Sequence, residues 1–133
     1  MARLFFRSGM KLLLLIALAG AIGTLTRYGC VRWLSPMSAN FPWGTLVVNV
    51  VGALIAGFCF VLCRAKFQSC DYLPVLFIGF LGAFTTFSSF ALESVRLLEA
   101  AQYGKCALNV LLQNVTGLLA AGAGMGFAKL LFR

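Results

Sequence analysis

Asn49, the hydroxyls of Thr85, Thr86, Ser88 and Ser89, and the rings of Phe87 and Phe90 are the residues of this chain best suited to act on a solute. They lie in two stretches, Gly44-Thr45-Leu46-Val47-Val48-Asn49 and Gly79-Phe80-Leu81-Gly82-Ala83-Phe84-Thr85-Thr86-Phe87-Ser88-Ser89-Phe90, both inside apolar segments. Lipid offers amides and hydroxyls no hydrogen bonds, so such groups at that depth must face protein, water or a solute. Two uses compete. Ser, Thr and Gly often line contacts between membrane helices. Alternatively, a helix relaxed at Gly82, with freed backbone groups repaired by the hydroxyls of Thr85 and Thr86, exposes carbonyls that attract a cation and donors that attract an anion. Phe87 and Phe90, three apart, point to one side of a helix. Ring edges carry the positive end of the aromatic quadrupole, so both can meet a small anion edge-on. So many hydroxyls and two glycines within a dozen residues favour the solute.

Other polar residues have weaker claims. Arg27 closes Gly20-Ala21-Ile22-Gly23-Thr24-Leu25-Thr26-Arg27-Tyr28, where a charge is costly. It either has a task there or snorkels to the headgroups beside Tyr28. Asn49 needs a partner, whether another helix or a solute. Asn109 and Gln113 are four apart and share a helix face. Asn114-Val115-Thr116 matches a glycosylation sequon but lies within an apolar span. Gly122 and Gly126 have the spacing of small-residue helix packing. Glu93 is the one acid near the apolar interior, and Arg96, three residues on, is its expected partner.

These residues need elements to position them, and the composition says which. The chain has 133 residues, 62 % of them hydrophobic and only 11 % charged. A soluble domain carries about 25 % charged residues. An integral membrane protein of a single domain, residues 1–133, follows. Four apolar spans, at about 10–31, 43–63, 72–97 and 105–131, each approach the ~20 residues needed to cross a bilayer as a helix. Arg3, Arg7 and Lys11 before a Leu-rich run imitate a signal peptide, but the run is read as the first helix. Ser35-Pro36-Met37-Ser38-Ala39-Asn40-Phe41-Pro42 is turn chemistry, and the other connections, 64–71 and 102–105, are short.

The net charge of +8 would suggest nucleic acid in a soluble protein. Here the basic residues flank the spans and orient them. Arg3, Arg7, Lys11, Arg64, Lys66, Lys129 and Arg133 fall on the side of the termini, against Arg32, Arg96 and Lys105 on the other, with Arg27 near the helix end there. That bias favours cytoplasmic termini, and its modest size leaves both orientations open. The chain has no histidine, which excludes imidazole bases, histidine metal sites and Ser-His-Asp catalysis. Its five cysteines contain no CxxC pair and read as small packing residues.

Three blocks in order carry a resemblance over nearly the whole chain: Gly20-Ala21-Ile22-Gly23 with Arg27-Tyr28, Gly44 to Asn49, and Gly79 to Phe90 followed by Glu93. With them the sequence resembles the small fluoride channels of the Fluc family, also called CrcB. The resemblance implies an all-α membrane protein with four transmembrane helices per subunit and the third helix broken near its middle. It also implies an antiparallel homodimer of dual topology in a bacterial plasma (inner) membrane. Two fluoride pores per dimer follow, with Asn49 as the pore-lining amide and Phe87 and Phe90 as the rings that meet the anion. Thr86, Ser88 and Ser89 would supply hydroxyls, and Arg27 a positive charge near the vestibule. Backbone carbonyls of Gly82 and Thr85 would hold a structural sodium ion. On the fourth helix, places that some members fill with tyrosine and serine hold Val110 and Asn114 here, so one flank of the path departs from the pattern.

A fluoride-selective pore must replace a tightly held hydration shell with donors while staying too narrow for larger halides. Passive export of fluoride needs no covalent step, so the chain reads as a channel and not an enzyme. The competing reading is a proton-coupled exporter of the small multidrug type. That would need an acid buried in the first span, which has none, or a coupling role for Glu93.

Overall fold

The computed structural model describes residues 2–66 and 72–132. Residues 67–71 of the second connection, with Cys70, and Arg133 lie outside them, so their expected roles are left there. Helix α1 spans Ala2–Leu34 and stops where Ser35-Pro36 begins a 3-10 turn, Ser35–Ser38. Proline cannot continue an α-helix and restricts the residue before it. Helix α2, Trp43–Lys66, follows Pro42 directly. A π-helical segment, Val75–Leu81, leads into a short α3, Gly82–Phe84, and then into α4, Phe87–Glu99. Helix α5 covers Tyr103–Leu131.

Four stretches are long and apolar enough to cross a membrane: Gly9–Ser38, Trp43–Ala65, Val75–Glu99 and Tyr103–Leu131. The architecture among the described residues is all-helical. Large apolar side chains such as Leu13, Leu18, Leu25, Ile78, Leu118, Leu119 and Leu130 are exposed on its outside. In water that surface would be an aggregation hazard; in lipid it is the solvated face.

The main packing is α2 against α5, with α1 against the π segment and α3. Two glycines make the first pairing close. A Cβ on Gly124 would strike the Leu54 carbonyl and the Phe58 amide, and one on Gly57 would strike the Ala121 backbone. The expected pair, Gly122 and Gly126, has open space around both positions. The packing glycine lies between them, on the face that α5 turns to α2. Gly79 similarly meets Ala19 and the Ile16 backbone of α1.

The connection between α4 and α5 closes with a cap. Gln102 N–H donates to the Leu97 carbonyl at 2.8 Å and Ala101 N–H to the Leu98 carbonyl at 2.9 Å. This pair of bonds is a Schellman cap, which places its central residue in the left-handed region. That residue is Ala101, with φ 56°. Tyr103, Gly104 and Lys105, which the sequence places in the connection, are already inside α5.

Candidate functional site

Thr85 and Thr86 separate α3 from α4, and both are extended, with φ/ψ of −81°/155° and −148°/108°. Gly82, where the sequence predicts relaxation, is helical at −62°/−31°. The irregular winding precedes it in the π segment and follows it at the two threonines. Thr85 N–H keeps the helical acceptor, the Leu81 carbonyl at 2.9 Å, but two other donors are redirected. Thr86 N–H, which a continuous helix would aim at the Gly82 carbonyl, donates to Asn49 Oδ1 at 2.8 Å. Ser89 N–H, which would reach the Thr85 carbonyl, donates to Thr86 Oγ1 at 3.2 Å. Thr86 is thus the N-cap of α4, and the backbone carbonyls of Gly82 and Thr85 both lose their helical donors.

Side chains supply what the backbone lacks. Asn49 on α2 is half-buried and also donates Nδ2–H to the Thr86 carbonyl at 3.2 Å. Its second Nδ2 proton goes to Gln113 Oε1 on α5 at 3.0 Å. Thr85 Oγ1 donates to the Leu81 carbonyl at 2.9 Å. Thr86 Oγ1 donates to Ser89 Oγ at 3.0 Å and lies 3.2 Å from Ser88 Oγ. Close packing seats this arrangement: a Cβ on Gly52, one turn beyond Asn49, would collide with the Thr85 methyl group.

Beside these residues is an open groove of about 260 Å³. Asn49, Thr85, Thr86, Phe87, Phe90, Gln113, Asn114 and Gly117 line it. The rings of Phe87 and Phe90 meet edge to face, 5.4 Å apart at 66°. Phe90 is buried at 9 % exposure, whereas Phe87 is 77 % exposed. Asn114 is exposed and donates Nδ2–H to the Val110 carbonyl at 2.7 Å. Ser88 and Ser89 flank the groove through the Thr86 hydroxyl without lining it. Arg27, half-buried on α1, lies away from the groove wall.

A second cavity, about 450 Å³, lies between the 3-10 turn and the ends of α4 and α5. Thr45, Glu93, Arg96 and Lys105 are among its walls. Glu93 does not pair with Arg96 as its spacing predicts. Its Oε1 accepts the Thr45 hydroxyl at 2.6 Å, and Oε2 is buried without a partner. The acid faces α2, and Arg96 is exposed on the same helix. Asn109 and Gln113 also separate in use. Asn109 is fully buried and donates to Ser94 Oγ at 3.0 Å, which in turn donates to the Phe90 carbonyl at 2.8 Å. Gln113 joins Asn49. Sequence reasoning noted the shared face but assigned neither residue a role; the missing signal was which helix each would meet. Cys63 and Cys106 are buried and Cys30 and Cys59 half-buried, and no disulfide forms among the described residues.

Four apolar spans define a multi-pass helical membrane protein, and a polar groove walled by a carboxamide pair, hydroxyls and two phenylalanines lies among them. No group of three or more Cys, Asp or Glu side chains able to hold a metal occurs among the described residues. Residues 14–125 match the family described as CrcB-like protein, Camphor Resistance (CrcB). The chain is 41 % identical over 121 residues to a protein of Parabacteroides distasonis, covering 90 % of this chain and 94 % of that one. It is 41 % identical over 118 residues to a protein of Desulforapulum autotrophicum, covering 87 % and 94 %. A Thermus thermophilus protein is 39 % identical over 117 residues, covering 87 % and 92 %. Each of these relatives is named a fluoride-specific ion channel, FluC. The chain belongs to the CrcB family.

Proposed function

We propose that this protein is a fluoride channel that lets the ion leave the cell passively. The observation that carries the reading is the groove at Thr85–Thr86, where hydroxyls, carboxamides and ring edges converge in an otherwise apolar span. Fluoride is small and strongly hydrated, so a selective path must offer close donors and little room. Asn49, Thr86, Phe87, Phe90 and Asn114 form the wall of that path, with Ser88 and Ser89 behind it and Arg27 drawing anions towards the membrane. Phe87 meets the ion by its edge. Conduction needs no bond to be made or broken, so the chain works as a channel and not as an enzyme.

In this reading Val75–Glu99 is the third transmembrane helix, broken at its two extended threonines. The freed carbonyls of Gly82 and Thr85 suit a hard, monovalent cation, and a structural sodium there would offset their mutual repulsion. The exposed ring of Phe87 and the open side of the groove favour closure by a second copy. We assign that copy the antiparallel orientation, giving a homodimer of dual topology with two pores in a bacterial inner membrane. Glu93, held by Thr45 in the other cavity, has no part in proton coupling.

The test is efflux from liposomes containing the purified chain alone, followed with a fluoride electrode. Fluoride leaves and chloride stays if the reading holds. Protein that passes neither ion, or both equally well, overturns it. Replacing sodium with a bulky organic cation during purification should lower the stability of the assembly; no change removes the sodium.

A further inference from the structure

We propose that Gln113 supplies the amide N–H groups that hold the anion, and that Asn49 positions the extended segment instead of donating to the ion. The assignment rests on the channel reading above and refines which side chain recognises the solute.

The orientation of both amides follows from one backbone group. Thr86 N–H can only donate, so the Asn49 atom 2.8 Å from it must be the oxygen. Nδ2 is thereby fixed on the other side. Its two protons are both spent, on the Thr86 carbonyl and on Gln113. The Gln113 atom that accepts must be Oε1, which leaves Nε2 with two protons. That Nε2 is buried and has no acceptor.

The rest of the wall has little to give. Thr85 Oγ1 spends its proton on the Leu81 carbonyl and Thr86 Oγ1 on Ser89. Asn114 is exposed and tied to the Val110 carbonyl. Among the residues that line the groove, Gln113 alone therefore carries a buried, unspent pair of donors. A buried donor without an acceptor is costly, and in native structures it calls for an explanation. A dehydrated fluoride is such an acceptor, since the ion takes N–H bonds and has no proton to offer. Because Nε2 is shielded from solvent, an ion that reaches it has already shed water on that side.

Two measurements test this. The first is efflux from liposomes by Gln113→Met, which keeps the length of the side chain and removes its donors. Flux should fall about tenfold or more, the scale of one lost hydrogen bond to a charged group. The second needs no variant in the working sample. Side-chain amide nitrogens are labelled in the parent protein in lipid, and the Gln113 signal is identified by its absence from Gln113→Met. The chain has three glutamines, so assignment is simple. Fluoride should shift the Gln113 resonance and leave Asn49 in place, and chloride should move neither. Undiminished flux in Gln113→Met, or an Asn49 resonance that responds while Gln113 does not, overturns the assignment. A parent chain that conducts no fluoride removes the channel reading itself, whereas a conducting parent with an indifferent Gln113 removes only this refinement.

Discussion

Asn49 and Thr86 exchange two hydrogen bonds: Thr86 N–H to Oδ1 at 2.8 Å and Nδ2–H to the Thr86 carbonyl at 3.2 Å. One side chain from α2 completes the backbone of an extended residue as a neighbouring strand would. In lipid an extended pair of residues without such a partner is prohibitive. The polar residue that the sequence offers as a solute ligand is thus the partner that satisfies the extended backbone.

Asn49→Leu keeps the volume and removes both bonds. It should destabilise the folded chain by about 2 kcal/mol or more, since two buried backbone groups lose their partners. Thermal unfolding in detergent, read from the fluorescence of Trp33 and Trp43, measures the loss. A melting temperature equal to the parent's would mean that the exchange contributes nothing.

The two phenylalanines should behave differently. Phe87 is mostly exposed and Phe90 is buried, although they touch. Phe87→Ile should leave stability nearly unchanged while sharply reducing fluoride flux. Phe90→Ala should cost about 3 kcal/mol in stability through the cavity it leaves. Melting curves and efflux on the same two preparations check both statements.

Gly124→Ala should loosen α2 from α5, because the new methyl would fall on the Leu54 and Phe58 backbone, which cannot step aside. Gly122→Ala and Gly126→Ala face open space and should be neutral or slightly stabilising, because alanine favours a helix by about 0.8–1 kcal/mol over glycine. Comparing the three melting temperatures tests the packing face of α5. Equal values would put it elsewhere.

Ala101 holds a left-handed conformation that an L-residue adopts at a cost of about 1–2 kcal/mol. Ala101→Gly should therefore raise stability, by about 1 kcal/mol, because glycine carries no Cβ into that region. A small rise in the thermal midpoint without change in conduction is the expected result.

Much of this was legible in the sequence, because apolar length is a strong signal. The four spans follow from composition alone, and Ser35-Pro36 marks the end of α1 as written. The first apolar span begins at Gly9, close to the residue 10 that hydropathy gives, while the helix itself runs back to Ala2 past Arg3 and Arg7. The hydroxyl cluster announced irregular backbone, but its position did not follow from Gly82. The extended residues are Thr85 and Thr86, and the side chain that bonds the Thr86 backbone, Asn49, comes from another helix. The same limit explains Gly124, Glu93 and Gln113. Each was visible as a residue type, and each acquired its role from a neighbour distant in sequence: Leu54, Thr45 and Asn49.

None of the eight residues walling the smaller cavity gains or loses a proton anywhere near physiological acidity, since they are amides, hydroxyls, rings and a glycine. A groove of this composition is blind to pH. Fluoride itself is not: in acidic surroundings it becomes a neutral acid that crosses lipid unaided and ionises again inside. In the channel proposed above, a path with no titrating part keeps the same grip on the ion when the medium turns sour, which is when the burden within the cell is greatest.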